Sequence, residues 1–152
     1  MANTGYPFVA FSFSIEITPS DSSDVLCDAS FSECDGLELG MDVKTIREGG
    51  NNYSQVRLSG PATLGTLTLK RGMTSSFDLW QWMSDALGDP SLRYDASVVI
   101  MDPSDGSTLA HFRASRCLPQ KLKAPPLNAK DGMVAIEELQ VAYESLTFMG
   151  DQ

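Results

Sequence analysis

Residues 8–17 alternate, with Val9, Phe11, Phe13, Ile15 and Ile17 set against Ala10, Ser12, Ser14 and Glu16. That is the period of a strand with one buried side. Residues 18–28 are polar, with Pro19 and the run Asp21-Ser22-Ser23-Asp24, and read as a loop. A second long strand is expected after Asp35-Gly36, with Leu37, Leu39, Met41 and Val43 facing in and Glu38, Gly40, Asp42 and Lys44 facing out. REGGNNYSQ (residues 47–55) is a loop whose Gly and Asn tolerate positive φ. Residues 56–58 read as a short extended piece ending at Gly60-Pro61.

The stretch GTLTLKRGMTSSFDLWQWMSDALG (residues 65–88) predicts a strand, a break and a helix. Leu67 and Leu69 alternate with Thr66, Thr68 and Lys70, and Gly72 interrupts the run. Ser75, three residues before Asp78, is expected to cap the helix. Gly88, followed by Asp89-Pro90, is expected to end it in a left-handed C-cap. At about 100° per residue, Phe77, Leu79, Trp80, Trp82, Met83, Ala86 and Leu87 cover more than half the circumference. An apolar face that broad calls for a second surface beyond one sheet. A deeply set core helix is the plain reading; a partial subunit boundary is the sharper one.

Residues 96–101 form an apolar, β-branched run, DPSDGS (102–107) is turn chemistry, and 109–115 alternates again, which together predict a hairpin. Residues 121–131, with Pro125-Pro126 and Asp131-Gly132, read as loop. The last strand is expected over about residues 134–148. Its apolar phase slips from Val134 and Ile136 to Leu139, Val141 and Tyr143, which suggests a bulge near Glu137-Glu138. Six to eight mostly antiparallel strands and one helix make the chain mainly β: an antiparallel barrel or sandwich, one α-helix plugging an end or flanking a side. With no linker or repeat, residues 1–152 read as a single domain.

Charge narrows the partners. Twenty acids oppose 11 bases, for a net charge of −9, so a grip on nucleic-acid phosphates is not expected. The start, MANTGYPF, lacks a basic segment followed by an apolar run, and no stretch approaches the roughly 20 apolar residues of a membrane-spanning helix. Three cysteines, Cys27, Cys34 and Cys117, fit synthesis in a reducing compartment better than a disulfide framework, and leave a Cys27–Cys34 bridge open.

Candidate chemistry is thin. His111, the sole histidine, lies on the polar phase of a hairpin strand and reads as exposed, with no GxSxG elbow to complete a triad. The cysteines and histidine lack zinc spacing. Asp102 and Asp105 resemble the start of a calcium loop, yet a hairpin turn accounts for them. Gly49-Gly50 precede no phosphate-loop Lys-Ser/Thr. Glu137, Glu138 and Glu144 read as a solvated face. No catalytic residue, metal site or cofactor is expected, and the pattern is that of a structural protein rather than an enzyme.

Four ordered stretches carry a resemblance: IREGGNN (46–52), LTLKRGMT (67–74), FDLWQWM (77–83) and LNAKDGMVAIEELQVAYESL (127–146). Together they are similar to the inner tube proteins of contractile injection systems, the family of contractile phage tail tubes and phage-tail-like extracellular injection particles. The sequence departs from that pattern in a longer 18–28 loop and in Leu118-Pro119, where Trp-Pro is common. The resemblance implies a β-barrel subunit that assembles into six-membered rings stacked as a hollow tube, driven through a target envelope by sheath contraction. Implied partners are other copies of the chain, a sheath protein, baseplate or spike and terminator proteins, and cargo in the bore. It implies assembly in the cytoplasm, then incorporation into a particle or virion.

By position, Glu48, Gly49, Gly50, Asn51 and Asn52 are expected to form a loop reaching the adjacent ring. Phe77, Trp80, Trp82, Met83 and Leu87 are expected to supply a subunit-interface helix, and Glu38, Gly40 and Asp42 to line the bore. Alternatives are a tube-initiating baseplate paralogue, a type VI secretion ring protein, and, from another class, a small β-barrel ligand-binding module.

Overall fold

The computed structural model describes residues 13–20, 27–29 (backbone alone), 31–50, 53–73, 77–127, 129 and 135–149. Among these described residues, ten strands and one helix follow in order: β1 Phe13–Pro19, β2 Cys27–Ala29, β3 Glu33–Asp35, β4 Leu39–Ile46, β5 Val56–Leu64, β6 Leu67–Gly72, α1 Asp78–Gly88, β7 Tyr94–Met101, β8 Thr108–Lys123, β9 Ile136–Ala142 and β10 Ser145–Phe148. Eight strands form one antiparallel sheet in the order β2-β1-β7-β8-β9-β6-β3, with β10 also on β8. Among the described residues, β4 and β5 pair only with each other.

Ile15 and Ile17 near one end of this order share a single core with Leu67 and Leu69 near the other, so the sheet curls around its apolar side. Its two edge strands, β2 and β3, also lie close in sequence. The mainly β, antiparallel architecture with one flanking helix is as expected, and among the described residues no ladder joins the two edges into a closed barrel. The helix covers the inside: Leu79 and Trp82 are buried, and the Trp82 ring meets Tyr94 edge-on with centroids 5.1 Å apart. Rings in that geometry add attraction beyond the apolar area they remove from water.

Several local expectations change. Helix α1 starts after Phe77 with no side-chain cap, and Ser75 lies outside the described residues. Asp78 takes the capping place partly, its carboxylate accepting from the Leu79 amide at 2.9 Å. Gly88 is the last helical residue and has no positive φ; the Asp89 amide donates to the Asp85 carbonyl at 2.9 Å. The bulge assigned to Glu137-Glu138 is absent: β6 and β9 pair without a shift from Leu67↔Val141 to Gly72↔Ile136. Glu137, Leu139, Val141 and Tyr143 hold one inward phase, in which the glutamate occupies a core position.

The shift lies in the opposite strand, between Pro119 and Lys121 of β8. Pro119 cannot donate to a ladder, so an irregularity there is expected physically. β8 therefore continues through Leu118-Pro119 into residues read from sequence as loop. The 102–107 turn forms as expected, with the Asp102 amide donating to the Ser107 carbonyl at 2.8 Å and Gly106 at φ +77°.

Candidate assembly interface

The sequence alternation over residues 37–44 is real, but most of its apolar side is not covered. Leu37 packs at the core margin. Beyond it, Leu39 is 63% and Met41 58% exposed, and Val43, Ile46, Val56 and Leu58 are exposed as well. The inward-facing assignment of Leu39, Met41 and Val43 is thus corrected: β4 and β5 form a two-stranded arm outside the main sheet. Alternation reports that a face wants burial; it does not report which chain will bury it. A two-stranded ribbon with both faces wet is marginal by itself.

β5 also runs through Gly60-Pro61 instead of stopping there. A register shift between Met41 and Val43 absorbs the proline. Gly60 is required where β5 crosses β4, since a Cβ there would lie 2.6 Å from the Asp42 carbonyl oxygen. The pairing splits the arm into two faces. Leu39, Met41 and Val43 form an apolar root on one, while Gly40, Asp42 and Lys44 share the other with Thr63. Ile46, Val56 and Leu58 continue that second face toward the tip, so its character changes from polar to apolar along its length.

The arm is tied down at its root. The Tyr143 hydroxyl donates to the Gly36 carbonyl at 2.8 Å and accepts from the Glu38 amide at 3.2 Å. The Gly65 amide donates to the Glu38 carbonyl at 3.2 Å. Gly36 has φ +98°, and a Cβ there would lie 1.9 Å from the Thr66 carbonyl oxygen, so only glycine fits. At the far end, Gly49 and Gly50 begin the turn after Glu48, with Gly50 at φ +88°. Asn51 and Asn52 lie outside the described residues.

The helix residues divide. Phe77 (59%) and Leu87 are exposed, Trp80 and Met83 are half-buried, and Trp82 is fully buried in the chain's own core. Trp82 therefore has no surface to offer a neighbour and is corrected to a core residue. Most of the broad apolar face is covered by the coiled sheet, and Phe77 and Leu87 remain outside it.

Sequence reasoning missed a buried ionic cluster. Arg71 and Glu137 are opposed on β6 and β9 and are 5% and 2% exposed. The Arg71 Nε lies 2.5 Å from a Glu137 carboxylate oxygen, and its guanidinium also binds Asp78. The Trp80 indole N–H donates to Glu137 at 3.1 Å. Burial works against the Arg71 charge, but the bonds and proximity to Asp78 and Glu137 prevail and raise its pKa above the ordinary value. The first turn of α1 is thereby clamped to one end of β6 and β9. A signal was present: extending the inward phases of the two strands places Arg71 opposite Glu137.

Other candidates carry no reactive arrangement. Among the described residues, no group of three or more His, Cys, Asp or Glu could hold a metal. Asp102 and Asp105 accept from Ser104 and Ser107 inside their turn. His111 is half-buried rather than exposed, its Nε2 enclosed without a partner. Cys34 is a free thiol, and burial and then Asp35 push it up to about 11; the Cys27 side chain lies outside the described residues. Burial likewise pushes Cys117 up to about 12. Among the described residues, no helix is long and apolar enough to cross a membrane.

The sequence matches the family model described as T4-like virus tail tube protein gp19 over residues 9–147. Comparison with curated proteins gives no match. Among solved structures, one chain of the anti-feeding prophage (AFP) baseplate superposes with a TM-score of 0.86 at 22% identity, covering 97% of this chain and 98% of that one. A chain of the extended PVC sheath-tube complex, an extracellular contractile injection system, gives 0.82 at 17% identity, covering 97% and 94%. Hcp1 from Flavobacterium johnsoniae gives 0.52 at 16% identity, covering 91% and 99%. At these identities the structural likenesses establish the fold.

Proposed function

The chain belongs to the T4-like virus tail tube protein family, and from that premise we infer that six copies close into a ring and that rings stack into the hollow inner tube of a contractile injection system. A sheath would surround the tube and drive it through a target envelope, with baseplate and terminator proteins at its ends. The observation that carries this reading is the arm. Leu39, Met41 and Val43 stand in solvent on a ribbon whose root is pinned by Tyr143 and Gly36. A pinned apolar ribbon is stable when another surface covers it, and identical copies supply that surface in any closed or helical assembly.

In this arrangement the tip, Glu48 to Asn52, reaches toward the adjacent ring. Phe77 and Leu87, with parts of Trp80 and Met83, meet a neighbouring subunit. Glu38, Gly40 and Asp42 line the bore; Gly40 and Asp42 share the small and polar root face of the arm, where the absence of large apolar side chains lets cargo pass without sticking.

Electron microscopy of the purified chain tests the proposal. Hollow filaments are expected from the wild type, and non-elongating subunits from the double variant Leu39→Glu, Val43→Glu. Replacing Gly49-Gly50 by Val-Val forces a β-branched residue to φ +88° at Gly50 and should leave folded subunits that do not elongate. Discrete rings from the wild type would assign the chain to a ring-forming or tube-initiating role instead. A single-copy species at high concentration would overturn the reading.

A further inference from the structure

β8 changes partners along its length. Residues 108–115 lie between β7 and β10, and residues 118–123 pair with β9. Arg116 stands where both ladders break. On the β7 side, Ser115 and Arg116 together oppose the single residue Asp95, between the pairs Tyr94↔Cys117 and Ala96↔Ala114. On the other side, pairing stops at Leu118↔Ala142 and resumes at Ser145↔Ser115, which leaves Tyr143 and Glu144 at a corner between β9 and β10. Two residues against one is a β-bulge, the device by which a strand bends and passes from one part of a sheet to another.

Arg116 has φ +55°, and among the described residues no other side-chain-bearing residue has a positive φ. Glycine is the natural occupant of such a bulge, because a Cβ in the left-handed region costs stability. Three hydrogen bonds close around the arginine instead. Its amide donates to Asp95 Oδ1 at 3.2 Å, its Nε donates to Glu144 Oε2 at 2.7 Å, and the Glu144 amide donates to the Ser115 carbonyl at 3.0 Å. Arg113 and Ser20 donate to the same Asp95 carboxylate at 2.8 and 3.1 Å, and Arg93 lies 3.8 Å from Glu144. The Arg116 and Glu144 side chains are each more than half exposed. An ion pair that wet adds little stability, so it does not explain an arginine where glycine would fit with less strain. What glycine lacks is a side chain that reaches the second corner. The pair ties the bend in β8 to the bend between β9 and β10.

We propose that Arg116 is a positioning residue for assembly: its left-handed bulge and its pair with Glu144 fix the angle between the two parts of the sheet, and with it the curvature at which copies meet in a ring. The curvature rests on the tube reading above; the fixed angle does not. One part carries β2, β1, β7 and β10, and the other carries β9, β6 and β3. A copy that meets its neighbours through both parts turns the row of copies by an amount set at the corner. A ring closes on one number of copies when that turn is the same in each. A corner free to flex lets the turn vary, and rings of mixed size, or none, result.

Arg116→Gly separates this role from plain stability, because glycine accepts the backbone conformation and removes the tie. Full-length chains are compared by thermal unfolding, amide hydrogen exchange and electron microscopy. The variant should unfold at the wild-type temperature or above it, exchange faster at residues 115–118 and 143–145, and lose tubes of uniform diameter. Glu144→Gln, which leaves the β8 backbone untouched, should lose uniform tubes as well. Arg116→Lys keeps a cation at the corner and should recover part of them. An Arg116→Gly chain that unfolds well below the wild type marks a merely structural residue and overturns the proposal. Unchanged exchange at the corner, or tubes of either variant as uniform as wild type, also overturns it and leaves the tube reading standing. A wild type that forms no tubes overturns the tube reading, and the exchange comparison then decides the fixed angle alone.

Discussion

Arg71 and Glu137 face each other across β6 and β9 with Nε and Oε1 2.5 Å apart, on the side of the sheet that meets the core. Removing one member leaves the other charge buried with fewer partners. Glu137→Ala is expected to cost about 3–5 kcal/mol of stability, measured by urea unfolding. The double variant Arg71→Met, Glu137→Leu should recover much of that loss, because matched apolar groups leave no orphan charge. A loss below about 1 kcal/mol for Glu137→Ala would show that water reaches the pair.

Tyr143 governs the arm through one hydroxyl. Tyr143→Phe keeps the ring in the core and removes the contacts to Gly36 and Glu38. A stability loss of about 1–2 kcal/mol is expected. Amide hydrogen exchange should accelerate most in β4 and β5, with smaller changes in β7.

Two glycines should respond oppositely. Gly36→Ala meets the Thr66 carbonyl and keeps a positive φ, so it should destabilise by more than about 1 kcal/mol. Gly88 is helical with open space around its Cβ position, and Gly88→Ala should be neutral or stabilising by up to about 1 kcal/mol. Thermal unfolding of the two variants side by side reads the contrast.

Asp95 sets an acid limit. Burial raises its pKa, but hydrogen bonds from Arg113, the Arg116 amide and Ser20 prevail and hold it below the usual carboxylate value. A depressed folded pKa contributes stability above the unfolded value, near 3.9, and loses it as pH falls through the folded one. Asp95→Asn should therefore be less stable than wild type at neutral pH. The gap should narrow below about pH 4, as followed by unfolding midpoints across the pH series.

The alternation of residues 13–17, 67–69 and 96–98 was enough to place the core strands, because period-two burial is a local property of a pleated backbone. The turn at 102–107 was legible for the same reason: its Asp, Ser and Gly act on their own neighbours. Glu137 was misread because a charge at a core position looks like a slip of phase until its partner, 66 residues away in sequence, is known. The irregularity at Pro119–Lys121 of β8 has no counterpart in the sequence reading, since a ladder mismatch belongs to a pair of strands and not to one. Leu39, Met41 and Val43 read as inward because sequence pattern carries no chain identity. The helix showed its breadth but not its division, in which Trp82 is internal and Phe77 external.

β8 joins one part of the coiled sheet, where it pairs with β7 and β10, to the other, where it pairs with β9. Sliding one part past the other would load that strand lengthwise, where its hydrogen bonds resist together instead of opening in succession. For a component pushed from behind, such stiffness resides within every copy, and bending is left to the joints between them.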